Sequence, residues 1–211
     1  MLSNIGSLRG RIGAHGRVAA GPRKVWTGPL RMLLFVLLST VAVVGLVPAA
    51  ANAADRNAIV TVAQNQLNDP SHNQERGGYN CNFFTSYLGA GSSGCGNGWR
   101  TEEWCADFAR FVWGRAGVAD TGQLNGAAYS FYTYGANHGT WHGGDLAGIA
   151  PGDVIVYSIG YFGGGTARHV AIYVGNSLVI SGNAGPNTDS VYQQLTSSLS
   201  YLGVSGYTRP V

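Results

Sequence analysis

A cysteine, a histidine and an asparagine are the residues whose types and positions could together carry one reaction. Cys105 lies in TEEWCADFARFVWGRAG, residues 101–117. Within it Trp104, Phe108, Phe111, Val112 and Ala116 recur at spacings of three and four, which predicts one buried face of a helix. Thr101 is the expected N-cap, Glu102 and Glu103 fall in the expected first turn, and Gly114 and Gly117 mark the far end. Cys105 would then sit where the helix dipole favours a thiolate. His169 opens the run HVAIYV just after the glycine-rich stretch 160–165, so its imidazole is expected at a strand start, facing a cleft. A thiol within reach of an imidazole is the pairing needed to attack a carbonyl carbon.

A third residue should accept the other imidazole N–H and so orient the ring. A hairpin turn at Gly175-Asn176-Ser177 brings positions 181–183 back toward His169. Asn183 has the nearest suitable side chain, with Asn187 and Asp189 as the alternatives and a plain turn residue as the structural reading. Trp104, Trp141 and Tyr157 are the candidate substrate-binding walls, although aromatic residues in such a domain also build core. His138 and His142 fall in a glycine-dotted stretch, 136–148, expected to be an exposed loop. Asp107 points to a different helix face from Cys105, where bonding a neighbouring loop is its expected role.

The cysteines sort themselves. Cys81 and Cys95 bracket a Gly/Ser-rich loop and are expected to form a disulfide, leaving Cys105 as the odd, reactive thiol. Neither a C-x-x-C pair nor close Cys/His spacing occurs, so no metal is expected, and no cofactor is implied.

The elements that must position these residues begin beyond the first quarter of the chain. Arg9, Arg11, Arg17, Arg23, Lys24 and Arg31 form a basic leader without an acid, followed by an apolar run at 32–47 and then Ala51-Asn52-Ala53. This is the layout of a signal peptide spanning 1–53, cleaved near Ala53, with a retained membrane anchor as the alternative. Removing the leader leaves seven basic residues against ten acidic ones, a net charge of −3, with no basic stripe for nucleic acid. In the remainder, Asp55 caps an expected helix at 56–67, 70–100 reads as a long loop, and 125–134 as a second short helix. Strands are expected at 154–157, 168–174, 178–180 and 201–208, with loop at 181–187. Helices first and antiparallel strands afterwards make an α+β domain, the helices packed on a small sheet.

WCADFARFVW, PGDVIVY, ARHVAIYVG and ISGNAG, in that order, resemble the CHAP family of cysteine- and histidine-dependent amidohydrolases/peptidases of bacterial cell walls. The resemblance runs over roughly 80–207, within an expected catalytic domain at 80–211, with 54–79 as an N-terminal helix and loop. It implies a papain-like fold, Cys105 as nucleophile, His169 as base and Asn183 as the polar third residue. The implied function is secreted cleavage of peptide or muramoyl-peptide bonds in peptidoglycan, by a monomer with no lasting membrane association. Two other readings stay open: a secreted cysteine peptidase or antibacterial effector on another amide, and a silent module that binds glycan or peptide.

Overall fold

The computed structural model describes residues 54–211, together with Gly21. The expected leader and its cleavage site at Ala53 lie outside the described residues. Asp55 caps helix α1 (Arg56–Leu67) as expected, its carboxylate accepting the N–H groups of Asn57 and Ala58. This helix buries Ile59 and Ala63 in the same core as the later elements.

The stretch expected as one long loop instead holds β1 (Cys81–Asn82), α2 (Phe83–Leu88), β2 (Ser92–Ser93) and β3 (Arg100–Thr101). The three strands pair in the order β1-β3-β2. Two-residue strands have no period to read, and a six-residue helix is too short for one. Asn82 accepts the N–H of Thr85 to start α2, and Gly89, at φ 66°, ends it. The Cys81–Cys95 disulfide spans this segment, and Cys105 is free.

Helix α3 (Cys105–Arg115) begins three residues later than expected. Thr101 is held in the β3 ladder opposite Cys81 and Ser92, so Glu102 and Glu103 precede the helix rather than open it. Helix α4 (Tyr129–His138) also starts late, because the Asn125 side chain accepts the Ala127 N–H in a turn before it. His138 is therefore helical, and Trp141 and His142 belong to strand β4 (Trp141–Gly143), not to a loop.

The remaining strands are β5 (Val154–Tyr157), β6 (His169–Gly175), β7 (Leu178–Ala184), β8 (Ser190–Leu195) and β9 (Val204–Thr208). They form one antiparallel sheet with β4, in the order β4-β9-β5-β6-β7-β8. The architecture is α+β, as expected. Strand β7 continues through Ser181-Gly182-Asn183, where loop is expected, and β8 is an edge strand without a sequence signal, because its exposed Tyr192 and Gln193 give no apolar alternation.

Alternation along the strands divides the sheet into two faces. Val154, Val156, Val170, Ile172 and Ile180 join the core built with α1, α3 and α4. Ile155, Tyr157, Ala171, Val179 and Tyr207 pack on the other side under Leu199 and Leu202, from the 3-10 segment Thr196–Leu202. Eight of the eleven α3 residues are buried, which makes it the central helix. Its seat on β7 is set by Gly182, where a Cβ would lie 2.6 Å from the Phe108 Cβ and from the Trp104 ring. Gly182→Ala should thus cost about 1–3 kcal/mol through overpacking, measured by denaturant unfolding. An unchanged midpoint would mean that α3 has room to shift.

Candidate active site

Cys105 is the first residue of α3, and its N-cap, Trp104, supplies no side-chain hydrogen bond. The first backbone N–H groups of the helix are therefore left without a cap, in the position where a developing anion is stabilised. The thiol is buried within hydrogen-bonding reach of the Val170 backbone N–H, one residue past His169. Burial pushes the thiol pKa up to about 11, the N–H groups of Val170 and Ala106 oppose this, and the charges of Glu103 and Asp107 add to it. The helix start alone had suggested a lowered value. Desolvation outweighs the dipole here because the same packing that seats α3 removes water from the sulfur.

Asp107 bonds a neighbouring element, as its helix face suggested. It accepts the Thr85 hydroxyl at 2.7 Å, and Thr85 in turn accepts the Asn82 amide at 2.8 Å. Glu102 is held up to about 7 by burial, by a hydrogen bond to Asp107 and by that residue's charge.

His169 opens β6 and pairs with Tyr157. Extending the Ile172↔Ile180 register by three residues brings Asn183 opposite it, within the expected 181–183 window. Asn183 stands at φ 51°, a left-handed conformation that asparagine tolerates, beside a register shift between Ser181 and Ala184. His169 Nε2 and Asn183 Oδ1 are both enclosed and without a hydrogen-bond partner. One is a donor when protonated and the other is an acceptor, so the pair is chemically complementary. Burial, and then the charge of Arg168, push the His169 pKa down to about 4.

The three residues do not share one cavity. His169, Asn183 and Arg168 line a cavity of about 170 Å³, together with Gln194 and Tyr201. Cys105 lines a second, of about 200 Å³, with Glu103, Phe162 and again Arg168. Strand alternation explains the division: Val170 faces α3, whereas His169 shares its face with Ala171. Among the described residues, no hydrogen bond joins Cys105 to His169 or His169 to Asn183. Of the alternatives to Asn183, Asn187 and Asp189 line a different cavity, against Leu67 and Asn73.

Two of the three expected substrate walls are corrected. Trp104 is fully buried, its indole N–H donating to Glu75 at 2.9 Å, and it packs against Phe84. Tyr157 is also fully buried, with its hydroxyl unpartnered and its ring 6.1 Å from that of His169. Neither presents surface to a substrate. Trp141 is half-buried against Tyr132 and lines neither cavity. His138 bridges the Tyr134 carbonyl and the Asp120 carboxylate, and His142 stacks on Tyr207, so both are structural. The sequence reading missed Arg168 and Glu103 as cleft residues. Their only signal was adjacency to His169 and Cys105.

No family model matches the chain, and no curated protein matches it. Solved structures similar to it include NlpC1 from Trichomonas vaginalis, at 18% identity and a TM-score of 0.45, covering 76% of this chain and 45% of that one. The NlpC/p60 domain of the peptidoglycan hydrolase SagA matches at 18% identity and a TM-score of 0.43, over 73% of this chain and 97% of that one. The peptidoglycan hydrolase RipB from Mycobacterium tuberculosis matches at 19% and 0.43, over 73% and 63%. The chain spans less than half the length of the Trichomonas protein.

A thiol raised to about 11 beside an imidazole lowered to about 4 makes a neutral resting pair. Alkylation of Cys105 by iodoacetamide should therefore climb about tenfold per pH unit through neutral and mildly alkaline solution. A plateau near pH 6–7 would indicate a preformed ion pair instead. The lowered imidazole also links to folding. Between about pH 6.5 and about pH 4 the unfolded chain takes up a proton that folded His169 refuses, so stability falls as pH falls through that window. His169→Gln should flatten this part of the Tm–pH curve relative to wild type. Superimposable slopes would remove His169 as the source.

Proposed function

We propose that the chain is a cysteine-dependent hydrolase of amide bonds in the peptides of peptidoglycan, of CHAP type, exported by its leader and acting as a monomer outside the cell. The observation that carries this reading is the junction of α3 and β6. There the thiol at an uncapped helix start meets the backbone N–H beside His169, whose unpartnered nitrogen shares a cavity with the unpartnered amide oxygen of Asn183.

Because the resting pair is neutral, His169 takes the thiol proton as the sulfur attacks the carbonyl carbon, not before. The catalytic hydrogen bonds close on substrate, as they commonly do in thiol and serine hydrolases. The oxyanion is received by the Cys105 backbone N–H at the start of α3. The imidazolium returns its proton to the leaving amine, and a thioester remains on Cys105. Water, deprotonated by His169, then attacks the thioester and releases the acid and the thiol. Asn183 accepts the second imidazole N–H and holds the ring in the useful tautomer.

Digestion of purified peptidoglycan, with mass analysis of the new termini, tests the reading. New stem-peptide amino groups identify an endopeptidase, and stem peptides freed from muramic acid identify an amidase. Cys105→Ala should abolish turnover, His169→Ala should lose at least ~10³-fold in kcat/KM, and Asn183→Ala ~10–100-fold. Undiminished digestion by Cys105→Ala would sink the proposal. Loss of activity in Asp189→Ala with none in Asn183→Ala would displace only the third residue.

A further inference from the structure

Among the described residues, enclosed side-chain atoms without a hydrogen-bond partner gather on one patch of the large sheet: Tyr157 Oη, His169 Nε2, Ser181 Oγ and Asn183 Oδ1. The strand register makes them neighbours. Tyr157 on β5 lies directly opposite His169 on β6, and the β6–β7 register, extended, sets Ser181 opposite Ala171 and Asn183 opposite His169. Residues directly opposite each other share a face of the sheet, and Tyr157 and Ala171 pack in the same cluster. Tyr157 and Ser181 are fully buried, and the Tyr157 ring is tilted by 42° against the His169 ring at 6.1 Å. Buried polar groups in folded proteins are nearly always paired, so adjacent unpaired ones point to a network that works together.

The chemistry of the groups gives that network a direction. A neutral imidazole carries one N–H, and the bond made by one nitrogen decides which of the two holds the proton. Nε2 is enclosed, so Nδ1 is the nitrogen left to exchange a proton with the thiol. An acceptor beside Nε2 keeps the proton there and leaves the Nδ1 lone pair free. The Asn183 oxygen is one acceptor, on an amide that can rotate. The Tyr157 oxygen is a second, carried on a ring that the core holds still. Burial pushes the Tyr157 pKa up, so the hydroxyl keeps its own proton and has it to donate along the patch.

We propose that Tyr157 is a positioning residue for His169: its hydroxyl joins the Asn183 amide oxygen in receiving the Nε2–H and so fixes the tautomer whose Nδ1 takes the Cys105 proton. The inference rests on the hydrolase reading for that proton transfer. Tyr157 acts only through the imidazole, because a fully buried side chain does not meet substrate.

Nitrogen NMR of histidine-labelled protein, with His169→Gln identifying the signals, reads the tautomer directly in the resting site. In wild type the proton should sit on Nε2. Tyr157→Phe keeps the ring and removes only the hydroxyl, and it should move the proton to Nδ1 in roughly half of the neutral imidazoles. In peptidoglycan digestion the same variant should lose about 3–10-fold in kcat with KM within about twofold, since tautomer and ring orientation are loosened but substrate contacts are not. Val179→Ala, which thins the same cluster without touching a polar group, should lower the thermal midpoint and leave the tautomer as in wild type. The proposal is overturned by an Nδ1–H tautomer in wild type, by an unchanged tautomer or an unchanged kcat in Tyr157→Phe, or by the same tautomer shift in Val179→Ala. A shift confined to Tyr157→Phe, with no digestion of peptidoglycan by wild type, would instead overturn the hydrolase reading and leave the pairing of tyrosine and histidine standing.

Discussion

The contact between the first turn of α3 and strand β7 is the constraint on which the rest depends. Phe108 and the Trp104 ring fill the space that a side chain at position 182 would need. Further ties fix the helix along its length. Trp113 donates to the Gly152 carbonyl at 3.1 Å, and Asp107 is bonded through Thr85 to Asn82. Each fully buried aromatic ring here contributes about 1.5–3 kcal/mol, and the polar ties make the seat directional as well as tight. Position 105 is thereby held against β6 with little freedom to move.

Such a seat has a chemical consequence. The packing that locates the sulfur also strips it of water, and desolvation then outweighs the helix dipole in setting its protonation. The imidazole is held neutral by the same cause, reinforced by Arg168. The resting site is thus stable and unreactive. In the proposed reaction, proton transfer between these groups becomes favourable only as charge develops on a bound carbonyl.

The long periodic elements were legible from the sequence because their burial patterns are strong. Helix α1 with its Asp55 cap and strand β5 followed from spacing and turn chemistry alone. Asn183 could be placed opposite His169 because hairpin register is arithmetic once the turn is located. Other features were hidden for identifiable reasons. Thr101 looks like a helix cap, but its backbone is claimed by the β3 ladder, and a tertiary pairing overrides a local signal. Trp104 looks like a cleft wall because it neighbours the cysteine, but Gly182 leaves a slot for its ring inside the core. The division of the site into two cavities follows from which face of β6 each residue joins, and strand alternation cannot be assigned to faces before the packing is known.

That division gives Arg168 its importance in the arrangement. Cys105 and His169 line neighbouring cavities at the start of β6, and the residue just before His169 is the one that lines both. A cation at that point stabilises neither the imidazolium nor a resting ion pair, and in an empty site it works against the base.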